Sequence, residues 1–233
     1  MNKIFWEDVT ATSGIKPGRS YGAAWGDVNE DGYPDLWVNY HYPPGILYLN
    51  QTDGSFVDVT AEIFVEEPTG DHHGTAWADF DNDGDRDLVQ LVGGGRGVGI
   101  NPQLSNQLYV NEGGKLEDRA SSLGVDYPLA RGRSPLWFDF NGDGLLDLVV
   151  GADPRLDGLE APPKLFKQNN DGTFEDVSAI ASFEPANANA QFFFLSDLSG
   201  DGNLEFVAKT TNTPFTIYDT TSVPFVDITS ETL

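Results

Sequence analysis

The chain has 233 residues with a formal charge of −24, from 37 acidic and 13 basic side chains, and no cysteine. That charge excludes binding to nucleic acid through phosphates and attraction to anionic membranes. The missing cysteines exclude disulfides, thiolate catalysis and Cys-type zinc sites. A hydrophobic content of 39% with 12% aromatics is enough for a packed core. The 26 Gly and 14 Pro fit many short strands joined by turns. No apolar run approaches the roughly 18 residues of a membrane-spanning helix, so no membrane insertion is expected. Met1 to Asp8 carries no signal-peptide apolar segment.

In chain order, the first element is Phe5-Trp6-Glu7-Asp8-Val9-Thr10, read within residues 4–10 as the outer strand of a preceding or closing unit. Four similar units follow, at 20–60, 74–120, 134–178 and 191–229. Each opens with an apolar strand such as Tyr21 to Gly26, then an acidic loop, then a strand such as Leu36-Trp37-Val38. A third strand, Leu47-Tyr48-Leu49-Asn50 in the first unit, leads by a hairpin to a fourth, Phe56-Val57-Asp58-Val59-Thr60. Asp53-Gly54, Gly113-Gly114 and Asp171-Gly172 supply the positive φ of three hairpins. No sustained 3.6-residue apolar period appears, so almost no helix is expected. Four tandem four-stranded antiparallel units predict an all-β chain of β-propeller blades forming one repeat domain over residues 1–233. The first strand of each unit is expected to be innermost and least exposed. Trp25, Trp77 and Trp137, two residues before the loops, are expected to pack between blades.

The loops carry the chemistry. The pattern D-x-[DNS]-x-D-G-x-x-[DE] starts at Asp27, Asp79, Asp139 and Asp197. Ca²⁺ takes six to eight oxygens, and donors at positions one, three, five and nine, with a backbone carbonyl at seven, can surround it. The expected ligands are Asp27, Asn29, Asp31, Tyr33 and Asp35 in the first loop and Asp79, Asp81, Asp83, Asp85 and Asp87 in the second. Asp139, Asn141, Asp143, Leu145 and Asp147 form the third set, and Asp197, Ser199, Asp201, Asn203 and Glu205 the fourth. Up to four Ca²⁺ are expected. The fourth site is ranked weakest because Ser199 is a poorer donor and Glu205 a longer closing side chain. The closing acid comes three residues earlier than in an EF-hand, which argues against that motif.

On these loops and the Phe-x-Asp-Val-Thr strands, the chain resembles the FG-GAP/VCBS repeat family of integrin-α-like β-propellers, and is most similar to bacterial and cartilage-acidic-protein-like members. The resemblance implies Ca²⁺ in the turn between the first and second strands of each blade, ligands on the opposite face, and rings of about seven blades. Four blades are counted here. The expectation is therefore part of a longer ring, with a closed four-bladed ring as the alternative.

The opposite face gathers His41, His72 and His73 with Lys16, Arg19, Arg96, Arg131, Arg133 and Arg155. It is the expected site for a protein or carbohydrate partner. No G-x-S-x-G or H-E-x-x-H motif is present, and no catalytic residue is assigned. The Gly93 to Gly97 run lacks the helix and Lys of a P-loop. Three functions compete: an extracellular or cell-surface recognition module with structural calcium, an enzyme using His41, His72, His73, Arg131, Arg133 and Asp153, or a structural segment of a larger secreted protein.

Overall fold

The computed structural model describes residues 6–41, 44–93, 105–183, 190–210 and 215–232. Among these residues, sixteen strands fall into four antiparallel sheets, each in sequential order. Blade one contains β1 (Ser20–Gly26), β2 (Asp35–Tyr40), β3 (Ile46–Asn50) and β4 (Phe56–Asp58). Blade two contains β5 (His72–Ala78), β6 (Asp87–Val92), β7 (Gln107–Asn111) and β8 (Leu116–Asp118). Blade three contains β9 (Gly132–Phe138), β10 (Asp147–Ala152), β11 (Lys164–Gln168) and β12 (Phe174–Asp176). Blade four contains β13 (Ala190–Ser196), β14 (Glu205–Thr210), β15 (Thr216–Asp219) and β16 (Val226–Asp227). One register rung repeats across all four: Trp25–Leu36–Tyr48–Asp58, Trp77–Leu88–Tyr109–Asp118, Trp137–Leu148–Phe166–Asp176 and Leu195–Phe206–Tyr218–Asp227. The fold is an all-β array of propeller blades.

Among the described residues, helix is confined to single turns. They are α1 (Thr60–Ile63), α2 (Ala120–Leu123) and α3 (Thr229–Thr232), each just after an outer strand. Thr60, expected as the last strand residue, instead opens α1. The cause is a side-chain clasp. Asp58 Oδ1 accepts from the Thr60 N–H at 3.2 Å and its hydroxyl at 2.9 Å, and the Thr60 oxygen accepts from Leu47 N–H at 2.9 Å. Asp176 with Ser178 and Asp227 with Thr229 repeat the clasp. Blade two has Ala120 in that place, and there Asp118 Oδ1 accepts from Leu108 N–H directly at 3.1 Å.

The second strand, and not the innermost one, is the most buried. All six residues of β2, β6 and β10 are buried, whereas Trp25 on β1 is 58% exposed and Phe192 on β13 is 63% exposed. The reason is positional. A second strand has a partner on each edge and a neighbouring blade on its faces, while an inner strand keeps one edge toward the axis. The core is accordingly layered between blades. Trp37, Leu47, Leu88 and Tyr109 fill the first gap, Phe80, Leu108, Leu148 and Phe166 the second, and Phe138, Leu165, Phe193 and Phe206 the third. Trp77 packs against the first layer and Trp137 lies 5.9 Å from Phe80 in a stacked arrangement, as expected for inter-blade packing. Trp25 lies against its own blade, its ring 5.9 Å from that of Phe56.

The first sequence element pairs with no strand among the described residues. Ile4 and Phe5 lie outside the described residues, and residues 6–9 pair with no strand. The motif still forms its local turn, with Thr10 N–H donating to Asp8 Oδ1 at 2.9 Å and Ser13 N–H to Val9 O at 2.9 Å. It also docks: Phe56 N–H donates to Ser13 O at 2.8 Å, as Phe225 N–H donates to Ala181 O at 2.8 Å between blades three and four. The segment thus sits against blade one as the tail of blade three sits against blade four. Its local turn needs only neighbours in sequence, whereas strand pairing needs an adjacent third strand.

Candidate metal centres and the opposite face

All four acidic loops adopt one conformation. The Gly at position six has φ between +85° and +102° in each copy, at Gly32, Gly84, Gly144 and Gly202. Position four is also left-handed, at Glu30, Asn82, Gly142 and Gly200. The Asn and Gly there were the available sequence signal for this second bend, which pattern matching on acids passed over. The carboxylate at position five closes the turn in every copy by accepting the N–H of position seven. Those bonds run from Tyr33 at 2.8 Å, Asp85 at 2.9 Å, Leu145 at 3.0 Å and Asn203 at 2.8 Å. Glu30 holds a conformation that Gly adopts without strain. Glu30→Gly is expected to stabilise the chain by up to about 1 kcal/mol, read as a higher denaturation midpoint at unchanged m-value.

The carboxylate at position nine is anchored by backbone N–H groups. Asp35 Oδ2 accepts from Val28 N–H at 2.9 Å and Oδ1 from Asn50 N–H at 2.8 Å. Asp87 does the same with Phe80 and Asn111, at 3.1 and 2.9 Å, and Asp147 with Phe140 and Gln168, at 3.1 and 2.8 Å. Each buried carboxylate therefore ties its loop to the third strand. Glu205 Oε2 accepts from both Leu198 and Ser199 N–H groups, at 2.5 and 3.2 Å. The Asn of the Leu-Tyr-x-Asn strand joins in, since Asn50 Nδ2 donates to Pro34 O at 3.0 Å and Asn111 Nδ2 to Arg86 O at 3.3 Å. A carboxylate oxygen has two lone pairs, so each can take one N–H and still face an ion.

The donors converge as a cation needs. Ligand oxygens of Asp79, Asp81 and Asp87 lie within 4.8 Å of one another, and so do those of Asp197, Asp201 and Glu205. In the first and third loops Asn29 and Asn141 occupy position three, and their amides donate to Asp31 and Asp143 at 3.0 and 2.9 Å. The second loop supplies the sharpest test of fit. In the other loops Oδ1 of the first Asp accepts the position-five N–H, at 3.1 Å for Asp27, Asp139 and Asp197. Asp79 Oδ1 is buried with no hydrogen-bond partner. A buried carboxylate oxygen without a donor is costly, and a hard cation bound by Asp79, Asp81, Asp83 and Asp87 would satisfy it.

These carboxylates also respond to pH. Burial pushes the Asp87 carboxyl up to about 7 and Asp147 up to about 6, their backbone N–H partners opposing and neighbouring loop carboxylates reinforcing the shift. Burial raises Asp35 and Asp81 as well. An acid with a raised folded pKa binds its proton more tightly when folded. The folded chain then carries more protons from about pH 4 up to the folded pKa, and stability falls as pH rises through that window. The calcium-free chain is expected to melt higher at about pH 5 than at about pH 7.5. Saturating Ca²⁺ should narrow the gap, because it binds the ionised form. Melting curves at both pH values, with and without the ion, check this.

On the opposite face the three histidines separate. His72 turns inward, fully buried, with Nε2 3.1 Å from Thr69 O and 3.2 Å from Gln107 Oε1. His73 turns the other way and meets His41 and Asp71, a residue the sequence reading did not select. Burial, with the Arg133 guanidinium nearby, lowers the His73 pKa to about 4. Arg133 Nε donates to Asp153 Oδ2 at 2.7 Å, and Arg131 lies 3.8 Å from the same oxygen. Lys16 pairs with Asp58 at 2.8 Å. Several cations expected to make this face less acidic are thus already paired. The inner strands border a cavity of about 450 Å³ lined by Tyr21, His73, Thr75, Arg133, Pro135 and Phe192. Residues 94–104, which hold Arg96 and most of the glycine run, lie outside the described residues, as do 184–189 and 211–214.

A family model described as an FG-GAP-like repeat matches residues 27–89 and 139–208. The chain belongs to the FG-GAP-like repeat family. Both matches of this FG-GAP chain begin on the first acid of a loop, Asp27 and Asp139, and run through the following loop into its second strand. Cartilage acidic protein 1 of Homo sapiens is 34% identical over 206 residues, covering 86% of this chain and 30% of that protein. Its Mus musculus counterpart is 34% identical over 83 residues, 35% of this chain and 13% of that protein. The FG-GAP chain therefore spans less than a third of the length of these relatives.

Proposed function

We propose that this FG-GAP chain is an extracellular recognition module whose calcium is structural. Four Ca²⁺ brace the turns between first and second strands, and a protein or carbohydrate partner engages the opposite face. The observation that carries the calcium assignment is Asp79 Oδ1, buried without a partner at the point where Asp81 and Asp87 converge. Millimolar calcium outside cells matches the affinity range of extracellular calcium modules. The relatives are named for cartilage, which agrees with an extracellular setting. Among the described residues no helix is long and apolar enough to cross a membrane.

The partner is assigned to the axial cavity and its rim, where Tyr21 and Phe192 are 59% and 63% exposed. Exposed aromatic rings beside polar groups suit sugar faces and protein anchors alike. Calorimetric titration of the calcium-stripped chain tests the metal assignment. Four ions are expected, with Asp79→Ala removing the tightest and Asp197→Ala the weakest. No calcium uptake at millimolar concentration overturns the assignment.

A further inference from the structure

His41, just past the end of β2, meets Asp71 and His73 at the start of β5, on the face away from the calcium loops. His41 Nδ1, Asp71 Oδ1 and His73 Nε2 all lie within 4.8 Å of one another. His73 Nε2 is 3.3 Å from Asp71 Oδ1, and His41 Nδ1 contacts the same oxygen more closely. Asp71 Oδ1 is buried, and both imidazole nitrogens lie against it as ion-pair partners. Two donors each about 2.0–2.1 Å from a tetrahedral ion stand roughly 3.3–3.4 Å apart; His73 and Asp71 already have that separation, whereas His41 Nδ1 sits closer to Asp71 Oδ1 and would draw back from it to bind.

We propose that His41, Asp71 and His73 form a transition-metal site, suited by its donor set to Zn²⁺ and independent of the calcium loops. Two imidazoles and a carboxylate leave a fourth position open, as in zinc sites that also take water or an anionic oxygen ligand. His73 lines the axial cavity, so that position lies beside the space assigned to the partner. A carboxylate-bearing ligand is the chemical class it would take.

The surroundings hold the site in place. Asn39 Nδ2 donates to His73 O at 2.5 Å, and Trp37 Nε1 donates to Asn39 Oδ1 at 2.5 Å and Gln90 Oε1 at 2.7 Å. Gln90 Nε2 donates to Gly74 O at 3.1 Å. This buried chain of amides fixes the backbone of His73 across two blades. The Tyr21 ring lies 4.7 Å from His41 and 5.1 Å from His73, covering both imidazoles. A plain His41–Asp71 ion pair is the competing account.

The test is a Zn²⁺ titration of the full calcium-saturated chain against a chromogenic chelator, with Co²⁺ absorption as a second readout. One ion per chain is expected, with a tetrahedral Co²⁺ spectrum. His41→Ala, His73→Ala and Asp71→Asn should each weaken Zn²⁺ binding by about 100-fold or more. Zn²⁺ should raise the melting temperature of the unsubstituted chain alone. A retained calcium-dependent melt shows that each variant is folded. If His73→Ala loses that melt, His41→Ala, on the surface, decides. The proposal is overturned if the calcium-saturated chain takes up no Zn²⁺, or if uptake is unchanged in His41→Ala. Failure of the calcium assignment would show separately, in the calcium titration.

Discussion

Stripping calcium from the chain is expected to lower its melting temperature by about 5 °C or more. A single site held at a hundred times its dissociation constant contributes about 2.7 kcal/mol. Each kcal/mol moves the midpoint of a chain this size by about 2–4 °C. The second loop should carry the largest share. Its four carboxylates, Asp79, Asp81, Asp83 and Asp87, repel one another when no cation separates them, and Asp79 Oδ1 has no donor to replace the ion. Asp79→Ala should therefore remove much of the calcium-dependent rise while changing the calcium-free melt little. Scanning calorimetry of both proteins in calcium and in chelator measures the two effects. An identical melt of the unsubstituted chain in both buffers would falsify the calcium assignment.

Asp87→Ala is expected to behave differently, destabilising the chain with or without calcium. Its carboxylate accepts the Phe80 and Asn111 N–H groups, and it is 1% exposed. Removing it leaves two buried donors without acceptors, at about 1–3 kcal/mol each, so a loss of roughly 2–6 kcal/mol is expected. Asp87→Asn keeps one acceptor oxygen and should recover about half of that loss. Urea denaturation in chelator separates the bracing from metal binding. If Asp87→Ala and Asp79→Ala were equally stable there, position nine would be a ligand and nothing more.

Much of the fold was legible because its signals are local and repeated. Asp-Gly and Gly-Gly mark turns wherever they occur, and Gly54, Gly113, Gly114 and Gly172 do take positive φ. The Trp-Leu-Tyr-Asp rung could be anticipated because strand alternation fixes which residues face together. The shared conformation of the acidic loops was legible for the same reason, their residues lying within nine positions of one another. Other roles were not. Thr60, Ser178 and Thr229 looked like strand ends, but their hydroxyls serve a third-strand N–H more than ten residues back. The acid at position nine looked like a ligand, and its grip on the third strand depends on the sheet being formed.

By itself, then, the sequence determined four blades, their strand order and four acid-lined turns, because each rests on residues close in the chain and repeated four times. Only the tertiary structure decided the rest. It buried the second strand deeper than the first, since the second has neighbours on both edges and on its faces and the first keeps one edge toward the axis. It left Asp79 Oδ1 without a donor while satisfying its three counterparts. It turned His72 into the core and brought His73 to His41 and Asp71, because adjacent strand residues point to opposite faces. Contacts between single residues on different blades leave no period in a sequence. The acidic loops were therefore readable from the chain alone, and the histidine cluster on the other face was not.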